Sequence, residues 1–120
     1  MAREDEIDAW QRRARENMAV AVSLASYDPP RIYAAVSRLY YGVYQSVCWL
    51  LLAKNLATPS HNHGEVWRAA DNLRSGLSGQ LQDLHSWRRK ADYASGEVPL
   101  KTVRGLVVQF SQLTQELCKQ

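Results

Sequence analysis

The heptapeptide WRRKADY, Trp87 to Tyr93, sets three consecutive cations ahead of an acid and a phenol. Successive residues of a helix turn by about 100°, which places Leu77, Leu81, Leu84, Arg88 and Ala91 within one sector of roughly 80°. Arg88 therefore points where the leucines point, whereas Arg89 and Lys90 fall off the stripe toward solvent. A buried guanidinium is costly unless paired, so this position demands an acid, a set of carbonyls or an anionic ligand in a cleft. Asp92, four residues on, offers an intrahelical bridge, although with the cation N-terminal this is the weaker orientation. The pattern is consistent with a structural bridge and with an anion site.

Two further stretches carry groups able to do chemistry. In SRLYY, Ser37 to Tyr41, Arg38 borders an apolar face and is surrounded by Tyr40, Tyr41 and Tyr44. Such tyrosines are usually core residues with a wet hydroxyl. An arginine among them could also meet Arg88 across a bundle and form a phosphate-sized cationic notch. In SHNHGEVW, His61 and His63 stand in a first helical turn, where an imidazole can meet an anion or act as a cap. Their two-residue spacing does not converge on a metal as an i,i+4 pair does, and the letters HNH only coincide in spelling with a nuclease motif. Phosphate-loop, dinucleotide, zincin and hydrolase-elbow signatures are absent, so no metal and no cofactor is expected.

The elements that must position these groups read as helices throughout, with no strand-like alternation, repeat or low-complexity linker. The first runs from about Glu4 to Ser26, with Ile7, Trp10, Ala14, Met18, Ala21 and Ala25 as its stripe. Acids in its opening turns complement the helix dipole. Asp28 is read as a cap and Pro29 and Pro30 as first-turn residues of the second helix, which continues to about Leu56. Apolar residues cover more than one of its faces, so it should be the central element. Thr58 or Ser60 can cap a third helix, about His61 to Leu73, and RSGLSG breaks it. The fourth covers about Ser78 to Ala94 and stops at Ser95-Gly96. Pro99 opens the fifth, where Val103, Leu106, Phe110, Leu113 and Leu117 form a seam suited to another helix or to a second copy of the chain. An up-and-down antiparallel bundle of four to five helices in one domain, residues 1–120, is the economical arrangement.

Composition sets outer limits. The 120 residues are 46% hydrophobic and 22% charged, enough for a core without disulfides or metal. Eleven of the fifteen cations are arginines and the net charge is +3, which permits a nucleic-acid partner without establishing one. The N-terminus is acidic, and VCWLLLA is too short to cross a bilayer, so a soluble cytoplasmic protein is expected. Cys48 and Cys118 lack ligand spacing and fit reduced thiols.

SRLYYGVYQSVCWLLLAKNL, then HGEVW, then LHSWRRKADY, in this order and spacing, resemble the prokaryotic HEPN families of small helical proteins. The likeness covers about Pro30 to Tyr93. It implies an up-and-down bundle that usually dimerises, and in many members a ribonuclease of toxin–antitoxin or defence systems, often paired with a minimal nucleotidyltransferase. The family signature is an arginine followed four to six residues later by a histidine, shared across the dimer. Carried over by position, the arginine is Arg88 and the histidine's place is held by Tyr93. A phenol with a pKa of about 10 is a poor proton shuttle at pH 7, so the ribonuclease motif is not intact. The expectation is a homodimeric protein that binds nucleotide or RNA phosphate through Arg38, Tyr40, His63, Arg88 and Asp92, with a nucleotidyltransferase or antitoxin as partner. A metal-independent endoribonuclease using Arg88 and Tyr93 is one alternative. A non-catalytic scaffold or RNA-binding subunit is the other.

Overall fold

The computed structural model describes residues 2–56, 62–93 and 98–119, with side chains from residue 4 onward except that of Tyr93. Five helices follow one another: α1 (Ala2–Ser26), α2 (Ile32–Ala53), α3 (His63–Ala70), α4 (Leu77–Tyr93) and α5 (Leu100–Cys118). They form an up-and-down helical bundle, and no strand occurs among the described residues. At about 1.5 Å per residue the 25-residue α1 is close to the bundle's long dimension of 43 Å.

The centre is α2, which packs against all four other helices. Thirteen of its 22 residues are buried, spread around most of its circumference and leaving the Arg38 side open. Its contact with α1 is close. A Cβ built on Gly42 would lie 2.6 Å from Met18 Sδ and 3.0 Å from the Met18 backbone nitrogen. Glycine there lets the two backbones approach, and the alanines of the α1 stripe, Ala14, Ala21 and Ala25, are buried along the same seam.

The α5 seam is consumed inside the chain. Val103, Leu106, Phe110, Leu113 and Leu117 are all buried, so this face packs on its own bundle and is not left for a second copy. Each fully buried leucine or phenylalanine contributes about 1.5–3 kcal/mol of transfer free energy.

Helix ends differ from the sequence reading in physically intelligible ways. Pro29 and Pro30 precede α2 instead of opening it: the Asp28–Pro29 peptide is cis and Arg31 is the N-cap residue. At the other end α2 stops at Ala53, because Asn55 takes the left-handed conformation, φ 58°, that ends a helix. The α3 cap is Asn62, whose side chain accepts a hydrogen bond from Glu65 N. Thr58, Ser60 and His61, and the stop at Ser95-Gly96, lie outside the described residues. The α3 helix ends at Ala70, and Leu73 sits in the following turn, because the Asp71 carboxylate is drawn forward to accept from Ser78 N at 2.9 Å. That bond caps the free first turn of α4 from outside it, and Gly76, at φ +87°, makes the reversal between the two helices. Among the described residues no helix is long and apolar enough to cross a membrane.

Candidate functional site

Leu77, Leu81, Leu84 and Ala91 are buried, and Arg88 on the same face retains only 15% side-chain exposure. The guanidinium does point inward. Its Nε lies 3.3 Å from Asp92 Oδ2, yet this shielded Nε makes no hydrogen bond, so the pair is a close charge contact without good alignment. The rest of its stabilisation comes from rings: the guanidinium carbon is 5.0 Å from the centroid of Tyr41 and 5.6 Å from that of Tyr40. A planar, weakly hydrated cation is suited to such a berth.

Tyr40 links Arg88 to α3. Its side chain is fully buried, its hydroxyl lies 2.5 Å from His63 Nδ1, and Trp67 Nε1 donates to the same oxygen at 3.2 Å. The indole can only donate, so the phenol oxygen accepts from Trp67, and the direction of the Tyr40–His63 bond is set by the imidazole tautomer. Burial pushes the Tyr40 hydroxyl up to about 12, against the downward pull of the Trp67 hydrogen bond and the Arg88 charge. It therefore stays protonated near neutrality.

Around this axis the rings close into a cluster. Tyr44 stacks on His63 at 4.5 Å between centroids, and burial raises the pKa of its hydroxyl. His85, one turn before Arg88 on α4, packs 5.1 Å from Tyr40, 4.9 Å from Trp67 and 5.9 Å from His63. Burial first, then the charges of Arg88, His63 and Arg89, lowers its pKa below the ordinary histidine value.

Arg38 stands at a neighbouring opening. It is exposed, donates from Nη1 to Asn17 Oδ1 at 3.2 Å, and lines a cleft of about 460 Å³ together with Tyr33, Ala34, Ser37, Tyr41 and Asp92. Arg88 is not one of the lining residues; it touches two of the walls, Tyr41 and Asp92. The cleft thus carries one arginine and one carboxylate flanked by phenols, and the second arginine supports it from inside.

The structure accordingly brings Tyr40, His63, Arg88 and Asp92 into one connected cluster and sets Arg38 beside it. Tyr93 closes α4 by its backbone, and its side chain lies outside the described residues. His85 precedes Arg88 and so lies outside the forward arginine-to-histidine spacing; its i,i+3 relation to Arg88 is the feature of the sequence that points to it. Among the described residues no group of three His, Cys, Asp or Glu side chains is disposed to hold a metal.

No family model matches the chain, and no solved structure does. A UPF0332 protein of Thermotoga maritima is 41% identical to it over 56 residues, 47% of this chain. That match covers 41% of the relative, so the chain spans about two fifths of the length of the curated protein it resembles.

Proposed function

We propose that this chain is a HEPN-type helical protein that binds the phosphate of RNA or of a nucleotide at the cleft of Arg38, Tyr33 and Tyr41. The carrying observation is an exposed guanidinium between accessible phenol rings, in a cleft whose wall is braced by the inward Arg88–Asp92 pair. Arginine offers a forked, charge-assisted contact to phosphate, and phenol faces accept a base by stacking. The helical bundle and the local likeness to the UPF0332 protein support the family assignment. In the setting proposed, the chain is a homodimer and belongs to a toxin–antitoxin or defence pair with a nucleotidyltransferase or antitoxin.

The test is fluorescence anisotropy of labelled single-stranded RNA in EDTA, with ADP as a competing nucleotide. Arg38→Ala should weaken binding by about tenfold, or roughly 1.4 kcal/mol, with an unchanged circular dichroism spectrum. Wild-type affinity in that variant, or no binding of RNA or ADP by the parent, refutes the reading.

One observation favours the enzymatic alternative with different residues. His63 and His85 are two half-buried imidazoles 5.9 Å apart, beside a guanidinium. One ring can take the proton from a ribose hydroxyl as it attacks phosphorus, and the other can protonate the departing oxygen. Cleavage of RNA in EDTA that survives Tyr93→Phe and is lost in His85→Ala is the expected signature. Intact RNA rules it out.

A further inference from the structure

A second opening lies on the far side of α2. Ser46 and Trp49 are turned by about 140–240° from Tyr40 and Tyr44 on the helix, and with α1 and α5 they enclose a groove of about 400 Å³. Ala14, Met18 and Trp49 give it an apolar floor, and Arg15 and Lys119, both exposed, stand among its lining residues. The hydroxyls in its wall are already engaged: Ser46 Oγ donates to Gly42 O at 2.8 Å, and Thr114 Oγ1 lies 3.0 Å from Phe110 O. The groove therefore asks for an apolar body and offers its charge only as cations.

From this pairing we infer that the groove binds an amphipathic carboxylate of the medium-chain fatty-acid class, its chain on Met18 and Trp49 and its head group between Arg15 and Lys119. The volume is that of a small-molecule pocket, largely apolar with few polar anchors. Charge complementarity selects the anion. A second copy of the chain is the poorer occupant, since a twofold contact here would bring Arg15 and Lys119 of both copies together. The site is separate from the Arg38 cleft and does not depend on the function proposed there.

Cys118 reports on occupancy. It lines the groove and is exposed, whereas Cys48, the other cysteine, is fully buried. The experiment follows maleimide modification of Cys118 in the intact chain by mass spectrometry, with decanoate or decanol added below micelle-forming concentrations. Decanoate should slow modification saturably, decanol should protect far less, and Arg15→Gln should raise the decanoate concentration needed by about tenfold. Equal protection by decanol, an unchanged rate with decanoate, or protection that grows with protein concentration alone would overturn the assignment; the last result would give the groove to a second copy.

Discussion

Arg88 is held by three weak partners instead of one strong one: a misaligned carboxylate and two ring faces. Arg88→Ala should lower stability to urea by about 1–3 kcal/mol, and Arg88→Lys should restore only part, since an ammonium lacks the flat surface that lies on Tyr41. Full recovery by lysine would show that charge alone matters. His85 supplies a second prediction. Its folded pKa lies below the ordinary value of about 6.5, so near and below that value the unfolded chain binds more protons than the folded one. Its contribution is present above pH ~6.5 and is lost as pH falls toward the folded value. Melting temperature should fall between pH 7.5 and pH 5.5, and His85→Phe should flatten that fall; an equal slope in both proteins would exclude His85 as the source. The inward aim of Arg88 was legible because it depends only on the 3.6-residue period of its own helix. The place of His85 was not, because the rings around it come from α2 and α3, and the register between helices is set by packing.

Among the elements, the α1–α2 contact is the most sensitive. Gly42→Ala places a methyl 2.6 Å from a movable sulfur but also 3.0 Å from a backbone nitrogen. The helices must separate, at a cost of about 1–3 kcal/mol. Met18→Ala in the same chain should relieve only the sulfur part, which a double-mutant cycle in urea measures; complete relief would show that the backbones can already yield. Five helices and their inward stripes could be read from the chain. Their ends could not, where competition among caps decides. Asp71 is one such case: its carboxylate serves the start of α4, so α3 stops three residues before the apolar pattern does.

For the whole molecule, a net charge of +3 is too small to hold RNA by field alone, so the binding proposed above should depend on a few placed arginines. The logarithm of affinity should fall linearly with the logarithm of salt concentration, and Arg38→Ala should reduce that slope by about one. An unchanged slope would locate the phosphate contact elsewhere. The same helix that bears Arg38, Tyr40 and Tyr41 also carries Gly42 against α1. Losing one residue from α2 just ahead of Tyr40 would swing everything beyond it by about 100°, pulling the phenol from His63 and driving a side chain into Met18 in a single stroke. Variation in this part of the chain must therefore proceed by exchange of residues, never by a change in their number.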